Sequence, residues 1–202
     1  MIRFQIAAND YLDRRVDSFY HLQYTRMGNP GNPDYLNDLK NTFNDFPRTK
    51  LDSATQKLRE ALEEDLPNIC QSLGYTTLVV CVVPRAKAEC EYHPNQQRFR
   101  STVQAVVRQS NNLIDGTDYL RRHTNTKTTH LGNKIGNNDG SDPYAGITKQ
   151  TCVISTDVQS QDILLVDDIY TPGVNIDEDA IQALFNSGAR NVYFYAVGRV
   201  IR

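Results

Sequence analysis

Ile163-Leu164-Leu165-Val166-Asp167-Asp168-Ile169-Tyr170-Thr171-Pro172-Gly173-Val174-Asn175 decides the fold. Four aliphatic residues lead into two adjacent carboxylates, and a short polar turn containing a glycine follows. A continuous aliphatic run predicts a strand covered on both faces, as in parallel sheets. Beyond the turn, Ile176, Ala180, Ile181, Leu184 and Phe185 recur at helical spacing and predict a helix with one inner face. This order sets Asp167 and Asp168 at the carboxyl end of a buried strand, where open α/β sheets bind their ligands. A carboxylate pair can grip the hydroxyls of a sugar, and N–H groups at a helix start can hold a phosphate. The stretch therefore points to a sugar-phosphate site.

Working outward, Asn175-x-x-Glu178 matches a capping box, Gly188 suits a C′ position, and Asn191 to Val197 reads as the next strand. Upstream, Thr76 to Val83 is a β-branched and aliphatic run that ends at Pro84, and Gln97 to Gln109 carries Phe99, Val103, Val106 and Val107 on one helical face. Thr151 to Ser155 reads as a short strand. Strands alternating with helices predict an α/β fold with a doubly wound, mainly parallel sheet over 76–202. Residues 1–75 form an aromatic-rich, irregular to helical N-terminal segment in this reading, serving as a hood or a partner surface. Within it, Ser53-x-x-Gln56 matches a capping box, Leu58, Leu62 and Leu66 predict a helix over about 54–66, and Pro67 ends or kinks it. Tyr20, His21 and Tyr24 suit either a nucleobase site or a partner surface. Residues 124–147, rich in Gly, Asn and Asp, are too long a structureless stretch for a compact domain unless they have a function. They are read either as a lid or as an ordinary insertion.

Composition excludes several classes. The apolar fraction is 39%, and no run approaches the ~18 apolar residues of a membrane span. Asn9, Asp10 and Asp13 interrupt the start, so it is not read as a leader, and a cytoplasmic location is the expectation. A net charge of −2 argues against a protein that coats nucleic acid. Cys70, Cys81, Cys90 and Cys152 form no Cys-x-x-Cys pair, and His21, His93, His123 and His130 lack a metal-ligand spacing. From 85 to 134, however, basic residues outnumber acidic ones, which is a local signal for an anion.

Two other strand-plus-acid patterns do not fit. A response-regulator receiver would need roughly a hundred further residues after its acid pair. A Walker-B strand would need a Gly-x-x-x-x-Gly-Lys-Ser/Thr loop upstream, and the sequence contains none.

The stretch around Asp167 and Asp168 resembles the phosphoribosyl-diphosphate (PRPP) signature of type I phosphoribosyltransferases, most closely the ComF-like branch. Val82-Val83-Pro84-Arg85 is similar to that branch's pyrophosphate loop, and Tyr119 to Leu131 loosely resembles its Leu-Arg-Arg segment. The resemblance implies Mg²⁺-assisted transfer of a 5-phosphoribosyl group with release of pyrophosphate. It assigns the ribose diol and a water-bridged Mg²⁺ to Asp167 and Asp168. Thr171, Gly173, Val174 and Asn175 would then hold the 5′-phosphate, and Arg85, Arg121 and Arg122 the pyrophosphate. In that family a long loop closes over the substrate, which would be the role of 124–147. A homodimer or a partner protein bound through 1–48 is a further expectation.

Two residues depart from the family pattern. Pro172 stands where a Thr is usual and removes a backbone donor; Asn175 replaces a Thr or Ser hydroxyl with an amide. These departures motivate a rival, in which the fold is kept as a weak or inactive PRPP or nucleotide sensor that regulates a partner. Asp177, Glu178 and Asp179 suit a helix N-terminus, yet they put charge beside the phosphate unless they point outward or cap.

Overall fold

The computed structural model describes residues 1–40, 46–128, 140–143 and 145–201. Its main sheet has six strands in the order β1-β2-β8-β7-β3-β4, comprising β1 (Ile2–Ile6), β2 (Val16–Tyr24), β3 (Leu78–Val82), β4 (Leu113–Asp115), β7 (Asp162–Tyr170) and β8 (Asn191–Val200). All neighbouring pairs are parallel except β1–β2. A separate two-stranded antiparallel ribbon joins β5 (Leu120–Arg122) to β6 (Cys152–Ile154). The short strand expected at 151–155 thus lies in this ribbon, outside the main sheet. The fold is α/β with a mainly parallel sheet.

Helices cover both faces. On one lie α1 (Tyr35–Leu39), α2 (Arg48–Ser72) and α3 (Arg98–Gln109), packed on Leu78, Val80, Val82, Leu164, Val166 and Tyr195. On the other, α4 (Ile176–Asn186) packs on Val79, Cys81, Ile163, Leu165, Phe194 and Ala196. The period-two division of the aliphatic runs between the two cores is what buries each strand on both sides.

Residues 1–75 are neither irregular nor purely helical. β2 pairs with β8 from Ser18↔Phe194 to Tyr24↔Val200, so two strands of the N-terminal segment belong to the same sheet as the strands of 76–202. Phe19 and Tyr20 are buried there, while Tyr24 donates to Asn37 and His21 lies 2.9 Å from Asp65. α2 also runs well beyond the expected 54–66, from Arg48 to Ser72 and through Pro67. Ser53 therefore lies inside the helix and caps nothing. Proline in a helix interior costs ~3 kcal/mol. Burial of Leu66, Ile69 and Cys70 around it contributes ~1.5–3 kcal/mol for each large side chain, and Asn68 Nδ2 donates to the Glu64 carbonyl. Packing outweighs the breaker.

The helix after β7 ends as expected. Gly188 takes φ +92°, its N–H bonds the Phe185 carbonyl, and the Ala189 N–H bonds that of Leu184, which is a Schellman closure. The expected cap at its start is absent: Asn175 occupies the N-cap position but makes no side-chain cap bond. No helix among the described residues is long and apolar enough to cross a membrane.

Candidate functional site

The winding of the sheet reverses between β3 and β7. From β3 the chain passes through α3 on one face to β4 at the sheet edge; from β7 it passes through α4 on the other face to β8. Such a reversal leaves a crevice at the carboxyl ends of the two strands. A small cleft of about 50 Å³ that opens to solvent lies there, lined by Val82 and Val83 at the end of β3 and by Asp167 and Asp168 of β7.

Lys40, Arg85, Lys87, Glu89, Tyr92, Gln96, Gln97 and Arg100 complete the polar lining. Arg85 is held in place by main-chain oxygens, donating to Gln96 O at 2.5 Å and Lys40 O at 2.6 Å, and its guanidinium stacks on Tyr92 at 4.3 Å. Arg100 pairs with Glu89 and donates to the Leu120 carbonyl. Sequence reasoning missed Lys40, which belongs to the N-terminal segment and lies 4.0 Å from the Asp168 carboxylate. No local pattern marks it; only the docking of α1 over the sheet brings it there.

Of the three arginines proposed for pyrophosphate, Arg85 alone lines the cleft. Arg121 is exposed and pairs with Glu89 at 2.8 Å. Arg122 is 5% exposed and donates to Arg85 O at 2.6 Å and Gly146 O at 2.9 Å. Burial pushes its pKa down from the usual arginine value. Its place is beneath the loop after β3, tying that loop to the 146 region. His123 is exposed and lies against Thr124 Oγ1 at 2.9 Å.

The acid pair differs from expectation. β7 does not end at Val166 but continues to Tyr170, paired with β8 through Tyr170↔Arg199, so both aspartates are strand residues. Adjacent strand residues face opposite sides. Asp168 turns toward Lys40 behind α1, while Asp167 turns toward Asp177 of α4. Asp167 also accepts the Asp168 N–H at 2.8 Å. Both side chains reach the cleft, from its two flanks. Burial and then the neighbouring Asp168 charge raise the Asp167 pKa to about 7. Burial and the Asp167 charge raise that of Asp177 well above the usual carboxylate value. Alternation slips directly afterwards: Ile169 joins the core on the α1 side and Tyr170 the core on the α4 side.

Thr171 to Asn175 do not line the cleft. Pro172 and Gly173 occupy the central positions of a tight turn closed by Val174 N–H to Thr171 O at 3.0 Å, with Gly173 at φ +82°. Proline followed by a residue at positive φ is the type II pattern, which explains both residues locally. The acids that follow neither point outward nor cap. Asp177, Glu178 and Asp179 are 3%, 2% and 7% exposed. Glu178 accepts from the Tyr170 hydroxyl at 3.0 Å, and Asp179 accepts from the Gly146 and Ile147 amides at 2.6 and 2.9 Å. The helix start thus holds three inward carboxyl groups. That weakens it as a cradle for an anion on the Asp177 side.

Half of the lid expected at 124–147 falls outside the described residues, which within it are 124–128, 140–143 and 145–147. Among the described residues no group of three or more His, Cys, Asp or Glu side chains is arranged to hold a metal ion. Asp167 and Asp168 are the residues that would hold Mg²⁺, an ion that uses one or two carboxylates and takes its other ligands from water and substrate phosphates. A scan against protein-family models and a search of curated proteins both return no match.

Proposed function

We propose that this chain binds PRPP in the β3–β7 crevice and acts as a phosphoribosyltransferase-like protein, joining an acceptor to C1′ of the 5-phosphoribosyl group and releasing pyrophosphate. One observation supports this above the others. At the point where the sheet reverses, the loop after β3 sets Arg85 and Lys87 opposite the carboxylates of Asp167 and Asp168, with Lys40 and Arg100 on the rim. A cationic loop suits the departing pyrophosphate, and carboxylates suit ribose hydroxyls. Mg²⁺, when bound through water near Asp167 and Asp168, would neutralise phosphate charge. The protein's own contribution is placement and charge, which suits an oxocarbenium-like transition state.

The test is calorimetry with PRPP and Mg²⁺. Asp167→Asn combined with Asp168→Asn abolishes the binding isotherm, whereas an isotherm like that of the wild type removes the reading. Pyrophosphate release with a panel of nucleobases then separates enzyme from binder.

A second reading, a weak or inactive sensor of the same fold, is favoured by two features at the phosphate turn: Pro172 offers no N–H, and Asp177 sits against Asp167. On this reading PRPP binds, pyrophosphate release stays at background with every base, and Pro172→Thr raises it.

A further inference from the structure

Arg199 is a half-buried cation that has no oxygen to bond. Its guanidinium lies over the Phe4 ring at 4.2 Å and the Tyr20 ring at 5.5 Å, and its Nε is buried without an acceptor. Among the described residues, the other buried or half-buried arginines, Arg59, Arg85, Arg98, Arg100 and Arg122, each donate to a protein oxygen. The Arg199 side chain makes no hydrogen bond and no ion pair among the described residues. A guanidinium carries five donors, and a buried donor left unmade costs stability. Its donors are open to an acceptor from outside the chain, water or a ligand.

Its position identifies the acceptor. Arg199 is the cross-strand partner of Tyr170, the residue immediately before the Thr171–Val174 turn. Phe4 packs on Tyr170 at 5.3 Å, so the aromatic clamp that fixes the guanidinium also abuts the foot of that turn. Asn175 turns its Oδ1 to Asn9 Nδ2 at 3.4 Å, which leaves its own Nδ2 as a donor. The nearby carboxylates each have a partner of their own, Glu178 Oε1 the Tyr170 hydroxyl, Asp179 the 146–147 amides and Asp177 the Asp167 carboxyl, although Glu178 Oε2 and Asp177 Oδ1 bond nothing among the described residues. None forms an ion pair with Arg199. A planar, fixed guanidinium beside a turn with free donors suits the oxygens of a phosphate monoester.

We propose that Arg199, clamped by Phe4 and Tyr20, is the phosphate anchor on the turn side of β7 and takes the 5′-phosphate of the sugar. It supplies the donors that Pro172 lacks. This assignment rests on the sugar-phosphate reading above, in which Arg85 and Lys87 serve the opposite, pyrophosphate end.

Ribose 5-phosphate and Mg-pyrophosphate are the probes, titrated separately by calorimetry. Arg199→Gln weakens ribose 5-phosphate by roughly 10- to 100-fold, as loss of charge-assisted hydrogen bonds does, and leaves Mg-pyrophosphate unchanged. Equal loss for both probes, no loss for ribose 5-phosphate, or no binding of ribose 5-phosphate to the wild-type protein overturns the assignment. A second measurement needs no altered fold: in the wild-type protein the Arg199 Nε–H resonance, assigned by its absence from Arg199→Lys, shifts as ribose 5-phosphate is added. A resonance that stays put overturns the assignment too. The two proposals fail separately. PRPP binding that ignores Arg199→Gln sinks the anchor alone, whereas Arg199-dependent binding of ribose 5-phosphate without any binding of PRPP sinks the transferase reading and keeps the anchor.

Discussion

Half-buried Asp167 and buried Asp177 bring two carboxyl groups together where β7 meets the start of α4. Burial and the Asp167 charge raise the Asp177 pKa, while burial and the Asp168 charge raise that of Asp167 against the hydrogen bond from Asp177, which lowers it. A proton held between them relieves the repulsion that two ionised groups would suffer. The sign of the pH dependence follows. Both folded-state pKa values lie above the unfolded ones, so the folded protein holds more protons between about pH 4 and about pH 7. Stability contributed by this pair is present at low pH and falls as pH rises through that window. Asp177→Asn removes the repulsion and raises unfolding free energy at pH 8 by on the order of 2 kcal/mol, with little change at pH 4.5. Urea denaturation at both values checks this. Equal effects at the two pH values would show that the carboxyl groups do not interact.

Neighbouring Arg121 and Arg122 separate a surface charge from a buried one. Arg122 bonds Arg85 O and Gly146 O from within the core. Arg122→Ala takes its donor from the Arg85 carbonyl and leaves the Gly146 carbonyl with the Thr151 hydroxyl alone, and should cost on the order of 2–4 kcal/mol. Arg121 is exposed, and losing its pair with Glu89 should cost ~1 kcal/mol or less. Chemical denaturation of the two variants decides the ordering, and similar losses would contradict the placement of both residues.

Asp179 binds two consecutive amides, Gly146 and Ile147, from the first turn of α4. Asp179→Ala should release this tether, and hydrogen exchange at Gly146 and Ile147 should accelerate at least tenfold, while the amides of β7 keep their protection. Unchanged exchange at 146 and 147 would place the anchor of that segment elsewhere.

Much of the sheet was legible in sequence because strands buried on both faces need continuous aliphatic runs. Leu78–Val82 and Ile163–Val166 carry that mark, and Gly188 announces the helix end through a backbone angle that favours glycine. β2 was not legible. Val16 to Tyr24 mixes Asp, Ser, His and Gln among its aromatics, and its strand character comes from pairing with β8. Likewise, nothing local marks the continuation of β7 past Val166, which depends on Ile169↔Gly198 and Tyr170↔Arg199.

The chemistry divides in the same way. Sequence by itself determined that two carboxylates, a Pro-Gly turn and an acidic helix start follow one another on a buried strand, since residue type and spacing set local geometry. Tertiary structure alone decided which groups meet. It sent Asp167 toward Asp177 and Asp168 toward Lys40, put Arg122 beneath a loop and left Arg199 without an oxygen partner. The physical reason is that strand pleat and helix docking distribute side chains over two faces. Contacts such as Tyr170↔Arg199 and Phe4–Arg199, 29 and 195 positions apart, are then set by packing, which no local pattern encodes.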